Sequence, residues 1–156
     1  MKNAILSLGA LLTVCFALLA AQPNEAQQKA KDSTEIPYNP TPEDIAKKNP
    51  VPLTPEGLAE ARKLFGYHCA MCHDQNGDGK GELAATMKLE LRDWRDPKSL
   101  ANRTDGELFY IVTNGKGKML GGEGDRTTEK VRWNLVHLVR SFASKEAGDK
   151  EKKPAS

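Results

Sequence analysis

The chain has 156 residues, of which 38% are apolar and 28% are charged, enough for one modest domain with tails. Lysine and arginine number 23 against 21 aspartate and glutamate residues, which gives a formal charge of +2. This near balance argues against a nucleic-acid-binding protein, which needs a net basic surface, and three cysteines are too few for a disulfide framework.

The first 21 residues have the pattern of an export signal. Lys2 precedes an apolar run from Ala4 to Ala21 that is broken only by two hydroxyl residues. The run is 18 residues long, the lower limit for crossing a bilayer, so an uncleaved membrane anchor is the main alternative. Lipid attachment at Cys15 is a third and fits the spacing rules poorly. All three predict that the rest of the chain lies on the periplasmic side of the cytoplasmic membrane.

Residues 22–53 and 144–156 are predicted to lie outside the compact domain. Seven of the nine prolines fall between Pro23 and Pro55. Because proline cannot donate a backbone hydrogen bond, we expect residues 22–53 to be a flexible linker. Residues 144–156 are rich in lysine and glutamate, which predicts a charged, disordered tail. Residues 54–143 remain as the single predicted domain.

This domain is predicted to be all-α, with about three or four helices. A hydroxyl N-cap, a proline and an acid at 54–56 begin the first helix. A capping box at 104–107 begins another, which ends at Gly115. A short helical turn is expected at 96–101, and the last helix starts near residue 128. The apolar stripe of that last helix consists of Val131, Leu135, Leu138, Val139 and Phe142.

Two long segments between these helices, 74–93 and 115–127, are predicted to be loops. Loops of this length in a domain of 90 residues need a reason. A prosthetic group at the centre supplies one, because the helices then pack around it instead of against one another.

The sequence CAMCH at 69–73 is a C-x-x-C-H motif, the attachment signature of c-type haem. Two thiols one helical turn apart can each add to a vinyl group on one edge of a porphyrin, with the next histidine directed at iron. The chain resembles the class I single-haem cytochromes c over 54–143. This resemblance implies a small helical bundle wrapped around one haem c, bound covalently through Cys69 and Cys72, with His73 as an axial iron ligand.

Three other uses of the two cysteines fit the sequence less well. A zinc site would need a second pair of cysteine or histidine ligands, and the domain has no other cysteine. A thioredoxin-like redox pair would need a βαβ context, whereas the surrounding pattern is helical. A structural disulfide would leave His73 and the long loops unexplained.

Met119 is the second axial iron ligand that the resemblance implies. It lies in a glycine-rich stretch 46 residues after His73, and class I cytochromes supply their distal methionine from a loop in this order. Glycines allow such a loop to fold over the haem edge. Leu120 follows it, where many relatives have proline. The other candidates for this position are Met87, His68 and His137.

Two polar segments have competing interpretations. Residues 74–79 match the first six positions of a calcium-binding EF-hand loop, but the twelfth position, normally glutamate, is Ala85. A glycine-rich turn is therefore the favoured interpretation. Trp94, Arg92 and Arg95 carry N–H donors suited to haem propionates, or the arginines form surface ion pairs with neighbouring aspartates.

Together these features predict an exported electron carrier and not an enzyme. Ligation by histidine and methionine leaves no open site on iron. The expected partners are redox proteins that donate and accept electrons, including membrane respiratory complexes, and lysines of the two long loops would steer acidic ones. One alternative is a tethered haem subunit of a larger membrane complex. Another is a haem enzyme or ligand binder with an open sixth site, although no distal acid–base pair is evident.

Overall fold

The computed structural model describes the backbone of residues 35–151 and the side chains of residues 35–143. The described residues from Ile36 onward form one compact unit. The predicted export signal or anchor at 1–21 lies outside the described residues. No helix in the described part of the chain is long and apolar enough to span a membrane.

Seven helices and one small hairpin make up the described fold. The helices are α1 Pro42–Ala46, α2 Pro55–His68, α3 Ala70–His73, α4 Glu82–Thr86, α5 Asp105–Asn114, α6 Glu123–Arg126 and α7 Glu129–Glu151. Strands β1 Gly115–Lys116 and β2 Met119–Leu120 pair in antiparallel fashion, with Lys116 opposite Met119. The domain is mostly helical, as the sequence predicted.

The predicted starts of the two central helices are confirmed. The Thr54 hydroxyl accepts a hydrogen bond from the N–H of Gly57 (3.1 Å) at the start of α2. At the start of α5, the Thr104 hydroxyl accepts from the N–H of Glu107 (3.1 Å), and the Glu107 carboxylate accepts from the N–H of Thr104 (2.9 Å). Both caps satisfy backbone donors that a helix terminus leaves without partners.

Helix α7 packs on two sides, which is one more than its predicted stripe provides. Leu135, Leu138 and Phe142 pack against Ala61 and Phe65 of α2. A second face packs against α5 and the turn before it; its members are Trp133, Val136 and Val139, in contact with Leu100, Leu108 and Phe109. The indole of Trp133, which is not part of the predicted stripe, stacks on the Phe109 ring of α5 at 4.0 Å. A helix sandwiched between two others needs a wider apolar surface than one stripe.

The predicted loops contain short elements that their sequence pattern did not indicate. Helix α4 lies within 74–93, and the hairpin and α6 lie within 115–127. The short helical turn expected at 96–101 is present as consecutive turns, in which the N–H of Ser99 donates to the carbonyl of Asp96 (3.0 Å) and that of Ala101 to the carbonyl of Lys98 (3.3 Å). The carboxylate of Asp96 accepts the N–H of Lys98 (2.9 Å), as the cap of a helical turn does.

The segment 36–53, which we call the N-terminal arm, differs from the flexible linker predicted for it. Ile36 exchanges two backbone hydrogen bonds of 2.8 Å with Gly117. The Tyr38 hydroxyl donates to Glu107 (2.8 Å), and the Asn49 amide donates to the carbonyl of Trp133 (3.0 Å). Proline removes backbone donors but leaves carbonyls and side chains able to bond, so this arm packs on the domain.

The other end of the chain differs as well. Residues 144–151, predicted to belong to a disordered tail, continue α7 to Glu151. Lysine, glutamate and alanine favour the helix even where no apolar stripe remains.

Candidate haem site

The C-x-x-C-H motif occupies a single turn between two helices. Cys69 ends α2, and its N–H donates to the carbonyl of Phe65 (2.9 Å). The carbonyl of Cys69 then accepts from the N–H groups of Cys72 (3.1 Å) and His73 (2.9 Å). Both cysteines are free and half-buried. The structure therefore brings the two thiols and the imidazole together on one short helical segment, as the spacing predicts.

Burial sets the protonation of this segment. Burial, together with the nearby charge of Glu123, raises the pKa of the Cys69 thiol to about 12. Burial also lowers the pKa of His73 to about 4. The imidazole is therefore neutral at ordinary pH, which is the form that binds a metal.

The imidazole of His73 lies against an aromatic wall. Its ring stacks on the indole of Trp94, with 4.1 Å between centroids and 20° between planes. Trp94 in turn contacts the rings of Phe65 (6.3 Å) and Phe142 (6.2 Å). The Nδ1 atom of His73 is buried and has no hydrogen-bond partner among the described residues. A neutral, enclosed imidazole beside two free thiols fits the donor set of a covalently attached haem.

Met119 lies in a hairpin that glycine closes. We call residues 115–122 the Met119 arm. Gly115 has φ 86° and ψ 178°, and a Cβ there would come within 2.5 Å of both the Met119 carbonyl oxygen and the Gly121 nitrogen. Met119 is half-buried whereas Leu120 is 74% exposed, which is the alternation of a strand with one face toward the protein.

The other three candidates for the distal position lie in different surroundings. The Nε2 atom of His137 is 2.7 Å from the carbonyl oxygen of Val51, which accepts a hydrogen bond from it. The Nδ1 atom of His68 is 3.0 Å from a carboxylate oxygen of Glu123. Met87 caps α4 and is 47% exposed. Both histidines thus have one ring nitrogen engaged in a protein contact.

The EF-hand-like stretch forms a chain of Asx turns. The side chains of Asp74, Asn76 and Asp78 each accept the backbone N–H two residues further on, at 3.1, 3.1 and 2.8 Å. Within the part of the chain that the structure describes, no group of three or more histidine, cysteine, aspartate or glutamate side chains could hold a metal ion. The geometry is that of the glycine-rich turn favoured above.

The arginines beside Trp94 bond to protein groups. Arg95 makes a two-pronged ion pair with Asp93, at 2.9 and 2.7 Å. Arg92 donates to the carbonyl of Ser99 at 2.8 Å. The indole of Trp94 stacks on His73, as described above. The three residues proposed for the propionates therefore each contact another protein group.

One buried charge next to this site escaped the sequence analysis. Glu123 is only 6% exposed, and its carboxylate contacts both His68 and Arg126. Arg126 is three residues away on the same short helix. His68 is 55 positions away and no local motif joins it to Glu123, so no pattern in the sequence indicates that contact.

The comparisons with known proteins concern the part of the chain that holds this site. Residues 56–139 match the family described as cytochrome c oxidase, cbb3-type, subunit III. No curated protein matches the sequence. Among solved structures, a chain of the reducing HAO-like protein complex of Kuenenia stuttgartiensis is similar, with 20% identity and a TM-score of 0.50 over 67% of this chain and 51% of that one. The sequence thus spans about half the length of that neighbour, and a likeness at this identity concerns the fold.

Proposed function

The chain belongs to the family of cytochrome c oxidase, cbb3-type, subunit III, and from this premise we propose that it is a single-haem electron carrier with iron held by His73 and Met119. Membership makes it a haem-based electron-transfer protein, and a cytochrome c domain implies covalently bound haem c and redox protein partners. The number of haems, the ligands and the carrier role are the parts that we propose.

The observation that carries the proposal is the single turn holding Cys69, Cys72 and His73. The two free thiols would hold the haem through thioether bonds, and the neutral imidazole would bind its iron. Haem c bound there supplies a one-electron couple between ferrous and ferric iron. The indole of Trp94 covers one face of the His73 ring, and a less polar environment favours the ferrous state.

Met119 is proposed as the second axial ligand. It is half-buried in an arm whose closure depends on the glycine at 115, and the arm is tied at its tip to Ile36. A second axial ligand from the protein would leave no coordination site for a substrate, which favours electron transfer over catalysis.

Export and redox partners complete the proposal. Cytochrome c domains of this family are typically exported, so we place the domain on the periplasmic side, facing donor and acceptor proteins. Of the loop lysines expected to steer these partners, Lys116 has its ammonium 4.3 Å above the ring of Tyr38. Burial lowers the pKa of Lys116. The cation–π contact with Tyr38 ties Lys116 to the N-terminal arm, so steering would rest on Lys80 and Lys118.

A second candidate is a tethered subunit of a membrane complex, which the family description favours by naming an oxidase subunit. Because the N-terminal arm packs on the domain, a tether would consist of residues 22–35. Fully extended, these 14 residues would reach about 50 Å. Release of the exported protein from membranes by salt alone would argue against a tether, whereas a need for detergent would support it.

The test of the iron ligand compares two methionine variants. Met119→Ala should keep covalent haem, lose the far-red sulfur-to-iron band of the oxidised protein, bind added imidazole and lower the reduction potential. Met87→Ala is the matched control, because Met87 is 47% exposed at the end of α4, and should leave all four properties unchanged. Retention of the far-red band in Met119→Ala would overturn the assignment.

A further inference from the structure

Glu123 is a buried carboxylate at the start of α6, four residues after Met119. Burying a charge is costly unless it is paired. Its Oε1 atom lies 3.0 Å from Nδ1 of His68 and 2.8 Å from Nη2 of Arg126. Its Oε2 atom is buried with no hydrogen-bond partner among the described residues. Such a charge is retained at a cost that a surface position would avoid, which raises the question of what the contact does.

The two partners of Glu123 differ in what they connect. Arg126 belongs to the same short helix, so that pair is local. His68 is the last residue of α2 and directly precedes Cys69. The contact between His68 and Glu123 therefore joins the haem-attachment segment to the chain that leaves the Met119 arm.

The residues that follow the Met119 arm are held by α7 as well. The guanidinium of Arg132 donates to the carbonyl oxygens of Thr127 (2.6 Å) and Glu123 (3.3 Å). The backbone around Glu123 is thus fixed, and its side chain has a defined direction toward His68. In the turn of the hairpin, Gly117 pairs with Ile36. The Met119 arm is thus held at the hairpin turn and at the residues that follow it. Of these contacts, only that of the Glu123 side chain reaches the haem-attachment segment.

We propose that Glu123 is a positioning residue that holds the Met119 arm closed by bonding to His68. This inference rests on the proposed ligation of iron by Met119. An added ligand reaches the sixth position only when Met119 leaves it, so the rate at which imidazole binds the oxidised protein reports how often the arm opens. Loss of the contact between Glu123 and His68 raises that rate without changing the haem attachment.

The experiment measures imidazole association and the far-red band in the haem-loaded full chain. Glu123→Ala and His68→Ala each remove the contact from one side, and each should accelerate association about ten- to hundredfold, the range expected for one charge-assisted hydrogen bond. The double variant should be no faster than the faster single variant, because both remove the same interaction. Glu123→Gln keeps an oxygen that accepts hydrogen bonds but loses the charge, so association should rise about three- to tenfold, less than in Glu123→Ala.

Arg126→Ala is the matched control. It removes the other partner of Glu123 on a side chain that is 55% exposed, and leaves the contact to His68 in place. Association should change clearly less than in Glu123→Ala, because the contact between Glu123 and His68 stays in place. Acceleration as large as in Glu123→Ala would show that α6 was merely destabilised and would overturn the inference.

The inference and the proposed function fail in different ways. If Met119→Ala loses the far-red band while both Glu123→Ala and His68→Ala bind imidazole at the wild-type rate, the ligand stands and the positioning role is wrong. If Met119→Ala keeps the band, the proposed ligand is wrong and the positioning role falls with it.

Discussion

A single methyl group at position 115 should open the Met119 arm. Gly115 adopts φ 86° and ψ 178°, a region essentially confined to glycine, where another residue costs about 1–3 kcal/mol. The new Cβ would also lie 2.5 Å from the Met119 carbonyl oxygen and the Gly121 nitrogen, so the hairpin must part to admit it. At about 1.4 kcal/mol per factor of ten, the backbone penalty alone would raise the open population of the arm about five- to 150-fold. Because the clash adds to that penalty, Gly115→Ala should open the arm well beyond fivefold.

Gly117→Ala is the control for this prediction. Gly117 lies in the same hairpin with φ +58°, yet a Cβ there would meet nothing within 4 Å. It should cost only about 1 kcal/mol, the penalty of the left-handed backbone. Imidazole association and the far-red band, measured on both variants, give the comparison. Equal rates and equal bands in the two variants would refute the conclusion that crowding at 115 keeps Met119 in place.

Three further predictions concern stability, each measured by denaturant unfolding. Leu138→Ala, at a fully buried position, should lower the free energy of unfolding by about 2–5 kcal/mol. Leu53→Ala, at a position that is 61% exposed, should lower it by less than about 0.5 kcal/mol. Similar losses in the two variants would contradict the described core. Tyr38→Phe should lower the free energy of unfolding by about 1.5–3 kcal/mol, because it removes the hydrogen bond to Glu107. Tyr67→Phe, at a position that is 68% exposed, should leave it almost unchanged. An unchanged stability of Tyr38→Phe would mean that the N-terminal arm does not pack on the domain. The pKa of Glu107 is held below its ordinary value, first by the backbone N–H of Thr104 and then by hydrogen bonds from Tyr38 and Arg103. The stability that this carboxylate contributes is therefore present above its pKa in the unfolded chain, and it is lost as the pH falls through its pKa in the folded protein. Glu107→Gln should therefore flatten the fall in unfolding free energy below about pH 4.5, and an unchanged slope would contradict this role.

Local signals in the sequence located most of the helical frame. The hydroxyls of Thr54 and Thr104 bond to N–H groups three residues away, so their patterns need no knowledge of the rest of the fold. The attachment motif is local for the same reason, because its three chemical groups lie on one turn. Met119 could be named because a family resemblance supplied the order of the two ligands along the chain.

What the sequence left out depends on contacts between distant residues. The N-terminal arm is docked by single polar side chains such as Tyr38 and Asn49, within a composition that otherwise favours a linker. Strands of two residues are too short for their alternation to be read from sequence. Glu123 and His68 are 55 positions apart, and no sequence motif predicts that they pair.

The measurement that tests the central claim most directly is the mass of the exported protein under denaturing conditions, together with its oxidised visible spectrum. Expressed with export and haem-attachment machinery, the chain should carry the mass of one haem that denaturation does not remove, and it should show the far-red sulfur-to-iron band. The same chain with Cys69→Ala and Cys72→Ala should carry none. An unmodified mass in the wild-type protein would contradict the account and return Cys69 and Cys72 to thiol or zinc chemistry.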